Sequence, residues 1–91
     1  MTNNTQWDTC LVVATAGHVW VARTVTRDDH FLHLGTARIV REWGTANGLN
    51  ELVTGPTKQT KLDALAPVVS VANIAVIAII PCRDDGWAAS L

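Results

Sequence analysis

The sequence predicts an all-β fold: a small barrel of five short strands with an inserted loop between the third and fourth. Three observations carry this expectation. The apolar residues are mostly Val, Ile, Leu and Ala, gathered in short runs such as "CLVVATA", "VVSV" and "IAVIAII". Such β-branched runs suit a pleated, half-buried surface. Turn signals separate the runs: Gly17-His18, Asp28-Asp29, and Pro67 and Pro81 around the last pair. The chain has 91 residues, enough for one domain with a modest core.

The elements follow in order. Residues 1–9, "MTNNTQWDT", read as a flexible N-terminus, and residues 10–43 as strands one to three. Cys10 to Ala16 is the first strand. Val19 to Arg27 alternates imperfectly, with Val19, Val21, Arg23, Val25 and Arg27 on one face and Trp20, Ala22, Thr24 and Thr26 on the other. Imperfect alternation is expected of a strongly bent strand in a small barrel. "HFLHL" opens the third strand, and "GTARIVREW" continues it. Residues 44–67 form the inserted loop, residues 68–81 the last two strands joined at Ala72-Asn73, and residues 82–91 a polar tail with one Trp. No segment reads as a convincing helix.

Charge and composition exclude several classes. A formal net charge of −1 is not the basic field with which generic nucleic-acid binders displace counterions. The uncharged stretch Ala64 to Ile80 is interrupted by Pro67, Ser70 and Asn73, which leaves its apolar part too short to span a bilayer. The N-terminus lacks a basic region followed by an apolar run. Cys10 and Cys82 have no metal-type spacing and read as free thiols in a reducing compartment. A cytoplasmic protein without membrane partners is expected. A small chain rich in β-branched residues also tends to complete its core against a copy of itself, so a homo-oligomer is expected.

Two portions of the chain resemble the halves of the Sm-like barrel. "LVVATAGHVWVARTVTRDDHFLHLGTARIV" has an apolar strand, a glycine turn, a long bent strand and an acidic turn. Asp28, Leu32, Leu34 and Ala37 fall where that family has Asp, Leu, Leu and Ala. "VVSVANIAVIAII" is similar to its fourth and fifth strands, with Ala72-Asn73 in place of the family's Arg-Gly turn. The resemblance implies a five-stranded Sm-like barrel and ring assembly. RNA binding in that family uses the Arg-Gly turn, which is missing. The chain also resembles short phage and prophage proteins that share a W-G-T and G-P-T signature, here Trp43-Gly44-Thr45 and Gly55-Pro56-Thr57.

Catalytic and metal signatures are sparse. His30 and His33 are three apart and point to opposite faces of a strand, so they do not chelate one metal. No nucleophile elbow, phosphate-binding loop or dinucleotide fingerprint occurs. A non-enzyme with no cofactor and no metal is expected.

The loop carries the ligand-binding expectation. Arg41 and Lys58 offer cations for anionic oxygens. Gly44 and Gly55, with Gly48, let backbone N–H groups approach a ligand. Thr45, Asn47 and Thr57 supply neutral donors, and Trp43 offers a stacking face worth about 1–3 kcal/mol per base. Together these suit a nucleotide-like ligand. With the phage resemblance, the expected function is a non-catalytic sponge that sequesters a nucleotide-derived signal of a host defence system. An Sm-like RNA-binding ring is the first alternative. An inhibitor or structural protein that binds a host protein through Trp43, Leu49 and Leu52 is the second. The competing reading of the loop is a structural cover, with Trp43 in the core and Leu49, Leu52 and Val53 pinning one helical turn to the barrel.

Overall fold

The computed structural model describes residues 5–46 and 48–91. Among the described residues the chain is all-β, a single antiparallel sheet of seven strands. These are β1 (Thr5–Trp7), β2 (Cys10–Ala14), β3 (Val19–Arg27), β4 (Phe31–Glu42), β5 (Lys61–Leu62), β6 (Ala66–Ala72) and β7 (Val76–Pro81). One short helix, α1 (Asp84–Trp87), follows, and 3-10 turns occupy Thr15–Gly17, Leu49–Thr54 and Asn73–Ala75.

The strand order is β5-β4-β3-β2-β7, with β1 added to β3 and β6 to β4. Two long strands organise this. β3 takes β2 along its start, from Cys10↔Ala22 to Val13↔Val19, and β1 along its end, from Thr5↔Arg27 to Trp7↔Val25. β4 takes β6 along Phe31↔Ala72 to Ala37↔Ala66, and β5 at Val40↔Leu62 and Glu42↔Lys61. Seven strands therefore stand where five were expected. The extra two, β1 and β5, lie in segments read as N-terminus and loop.

The expected closed barrel is not formed. β6 and β7 lie on separate paths of the sheet, β6 on β4 and β7 on β2. The 3-10 turn Asn73–Ala75 accounts for this. A two-residue hairpin would set consecutive strands side by side. The longer turn instead carries the chain across to β2, where β7 pairs from Cys10↔Pro81 to Ala14↔Val76.

β2 is buried on both faces, which explains its unbroken apolar run. Cys10 and Val12 pack with Ala22, Val25, Leu32, Leu34 and Ala37 on the inner face. Leu11 packs with Val19, Val21, Val40, Leu52 and Trp87 on the outer face. The inner set changes phase in both long strands, from Ala22 to Val25 and from Leu34 to Ala37. Thr36 sits at this change with φ 52, a left-handed backbone that a β-branched residue rarely adopts. The bend read from the imperfect alternation of β3 is thus a kink shared with β4.

Two segments outside the main ladders cover the outer face. The turn Leu49–Thr54 contributes Leu52, and α1 contributes Trp87, both fully buried. The Trp87 indole N–H donates to the Leu52 carbonyl at 2.8 Å. Gly55 and Gly86 let the two backbones touch: a Cβ on Gly86 would collide with the Thr54 carbonyl. Arg83 N–H donates to Val53 O, and Cys82 N–H to Thr9 O, both at 2.8 Å.

Truncating Trp87 removes most of this cover. Trp87→Ala is expected to cost about 3–5 kcal/mol, a large share of the roughly 5–15 kcal/mol that holds a domain folded. Trp87→Phe keeps much of the packing and loses the indole hydrogen bond, for about 0.5–1.5 kcal/mol, because the Leu52 carbonyl still accepts the Gly55 N–H at 3.1 Å. Urea unfolding of the two variants measures both losses. A Trp87→Ala protein as stable as wild type would remove the outer core from the account.

Candidate functional site

The loop after β4 folds back on itself through two threonines. Gly44 has φ 66, and a Cβ there would meet the backbone of Gln59 and Thr60, so the two limbs of the loop touch at this glycine. The Thr57 hydroxyl donates to Gly44 O at 2.6 Å, and the Thr60 hydroxyl to Trp43 O at 2.7 Å. Each hydroxyl has one proton, so both are committed inside the loop. Their oxygens accept in turn: Thr57 from Gln59 N–H at 3.2 Å and Thr60 from Thr57 N–H at 2.8 Å.

A groove of about 390 Å³ lies on this clamp, lined by Gly44, Thr45, Ala46, Glu51, Thr57 and Gln59. It brings together three of the residues expected to bind ligand: Gly44, Thr45 and Thr57. Trp43, next to the groove wall, is 42% exposed and so is not core. Arg41 is exposed, and its Nε lies 2.7 Å from Asp63 Oδ1. Lys58 is exposed outside the groove lining. Gly55 packs against Gly86 instead of facing the groove. Asn47 lies outside the described residues. The wall also holds an acid: Glu51 Oε2 accepts the Ala46 N–H at 3.1 Å. A carboxylate there disfavours a phosphate directly against it.

A second cavity, about 300 Å³, opens beside α1, with Asp8, Arg23, Asp84 and Trp87 in its lining. Its charged groups hold the chain ends together. Arg23 Nη2 donates to Leu91 O at 3.0 Å, and Asp84 Oδ1 accepts Thr9 N–H at 3.1 Å. Hydrogen bonding from Thr9 lowers the Asp84 pKa. A third cavity, about 320 Å³, lies between β6 and the β2–β3 end, with Thr15, His18, Trp20 and Ala75 in its lining. Sequence reading passed over it, because its walls come from four separate runs that only the topology unites. Trp20, the one aromatic residue of β3, was the available signal.

His33 sits in an ordered polar cluster. Its Nε2 lies 2.7 Å from Asp28 Oδ2, and its Nδ1 lies 2.8 Å from Ser70 Oγ. A carboxylate only accepts, so Nε2 carries the proton. Asp28 Oδ1 also takes the N–H groups of His30 and Phe31, at 2.9 and 2.8 Å. This is the side-chain turn by which Asp reverses a chain. No group of three or more metal-ligating side chains occurs among the described residues. Cys10 and Cys82 are free. Burial pushes the Cys10 thiol up to about 12, which keeps it protonated and unreactive.

The Asp28 cluster sets a pH dependence. The bond from His33 and the two backbone N–H groups hold its carboxyl well below the usual 3.8. A depressed folded pKa contributes stability above the unfolded value, and that stability is lost as pH falls. Thermal melts are expected to drop on acidification from about pH 5. Asp28→Asn should lower the melting temperature at neutral pH and flatten this decline. Parallel acid profiles for both proteins would contradict the assignment.

No helix among the described residues is long and apolar enough to cross a membrane. No curated protein and no solved structure matches the chain. Residues 8–90 match a family described as a domain of unknown function, DUF6948. That span runs from the link between β1 and β2 to the residue beyond the outer-face cover, and the chain belongs to this family.

Proposed function

We propose that the chain is a non-catalytic binding protein that works as a homo-oligomer and sequesters a nucleotide-derived small molecule. The observation that carries this reading is the exposed apolar surface of β6, β7 and the turn between them. From Ala64 to Cys82 there is no charged residue. Within that span Val68 and Ile77 are each 67% exposed and Ile74 is 97% exposed. Monomeric proteins protect sheet edges with Lys, Pro or a covering segment. β7 carries Pro81 only at its last position and has no lysine. A second copy laid along the β7 edge would bury Ile74 and Ile77 and close the assembly by twofold symmetry.

The ligand reading rests on the loop. Trp43, the residue before the Gly44–Thr45–Thr57 groove, is half exposed, and Lys58 and Arg41 are exposed. These groups suit a planar ligand with an anionic part directed away from Glu51. The setting, a phage protein acting in the host cytoplasm against a nucleotide-signalling defence, rests on the W-G-T and G-P-T resemblance.

Mass measurement and thermal shift test the proposal together. The wild-type chain is expected to run as an oligomer, and Ile77→Lys as a monomer. A panel of cyclic nucleotides and ADP-ribose derivatives should contain a stabilising ligand. Trp43→Ala should abolish that shift with little change in the unliganded melting temperature, because the side chain is half exposed. A chain that stays monomeric and responds to no nucleotide would end this reading. Strong, steeply salt-dependent binding of RNA would favour the Sm-like alternative instead.

A further inference from the structure

We infer that the cavity between β6 and the β2–β3 end is a binding site for an uncharged nucleobase or nucleoside. The inference rests on the nucleotide-binding reading above and adds a second site, for a neutral base, apart from the Trp43 loop. Three properties of this cavity point to such a ligand.

The first is its electrostatics. The lining includes no Asp, Glu, Lys or Arg. An anionic group would find no Lys or Arg counter-charge there, so the part of the ligand that enters is neutral. At about 320 Å³ the cavity lies at the small end of ligand pockets. That size suits one heterocycle and not a chain of nucleotides.

The second is the backbone edge of β6. Asn73 N–H donates to His30 O at 2.9 Å. Hydrogen-bonded pairs alternate along an antiparallel ladder. With His30 and Asn73 bonded, Val71 and Val69 point their amides to β4. Ser70 therefore turns its N–H and C=O to the opposite edge, where it lines the cavity. A donor and an acceptor on one strand edge match the paired donor and acceptor on the edge of a nucleobase. The Ser70 hydroxyl does not take part, since it lies against His33 on the outer face.

The third is the opposite wall. Trp20 is half-buried against the inner core and lines the cavity. Its indole offers a stacking surface for a planar ligand. His18 Nδ1 lies 3.2 Å from Thr15 O. A carbonyl only accepts, so Nδ1 carries the proton, and the neutral ring keeps Nε2 as an acceptor.

Titration of the ¹⁵N-labelled full chain with adenosine, guanosine, cytidine and uridine tests the site. At least one nucleoside should move the Trp20 indole N–H and the Ser70 amide. Its affinity should change less than about twofold between low and high salt, because no phosphate is neutralised. Ala75→Leu fills the cavity from the 3-10 turn and spares Trp20, which also supports the core. It should weaken binding about tenfold or more while the amide spectrum stays folded. Thermal stabilisation by a nucleotide without nucleoside binding overturns the inference and leaves the proposed function standing. So do shifts confined to Trp43 and Thr45 with unchanged affinity in Ala75→Leu. No response to any nucleoside or nucleotide overturns both.

Discussion

The hydrogen bond from the Trp87 indole to the Leu52 carbonyl joins the two segments that finish the fold. β2 is apolar on both faces, so its outer face needs a cover as much as its inner face needs a core. The 3-10 turn Leu49–Thr54 and α1 supply that cover through Leu52 and Trp87. A tail residue and a loop residue meet there, both fully buried. Trp87 would bury an indole N–H without an acceptor if Leu52 were elsewhere, and the Leu52 carbonyl takes this bond besides the one from the Gly55 N–H. The Gly55–Gly86 contact follows from the same need, since the two backbones must approach closely for the indole to reach its partner.

This cover changes what the loop is for. Leu52 and the Thr57 and Thr60 clamps hold the loop after β4 in place, so much of its polarity is used internally. The threonine hydroxyls bind carbonyls, Arg41 faces Asp63, and Glu51 takes the Ala46 N–H. What remains for a ligand is the exposed ring of Trp43 and the rim of the groove. The loop is thus a structural cover first, and any binding role rests on its surface.

The sequence made the strands legible because their patterns are local. Apolar runs, the Asp28 turn and the bracketing prolines each act within a few residues, and β2, β3, β4, β6 and β7 lie where those patterns predict. The Arg23–Thr24 region of β3 betrayed its bend through broken alternation, though not the face change that puts Val25 with Ala22. Three features escaped because they depend on distant partners. β1 and β5 are too short to show periodicity, and each exists by pairing with a long strand. Trp87 looked like part of a polar tail, since nothing nearby announces that Leu52 will meet it across 35 positions. The open end of the sheet depends on a 3-10 turn at Asn73–Ala75, where Ala72-Asn73 read as a simple strand connection. The loop composition that suggested a ligand site was real, but composition does not reveal which hydroxyls are already engaged.

The proposed association and the proposed ligand site both draw on the uncharged span from Ala64 to Cys82. The span from Ala64 to Cys82 holds both the exposed apolar side chains and the β6 edge of the Ser70 cavity, without a single charge. Two copies that paired along β6 would occupy the Ser70 amide and compete with a base for it. Two copies that paired along β7 would bury Ile74 and Ile77 and leave that amide facing the cavity. The distribution of exposed surface favours the second arrangement: Ile74 and Ile77 flank the start of β7, whereas β6 shows only Val68 as a large exposed side chain. Under β7 pairing the ligand and the second copy occupy different edges, so neither must displace the other. Each copy then keeps its own cavity, and the capacity of the assembly for ligand rises with the number of chains.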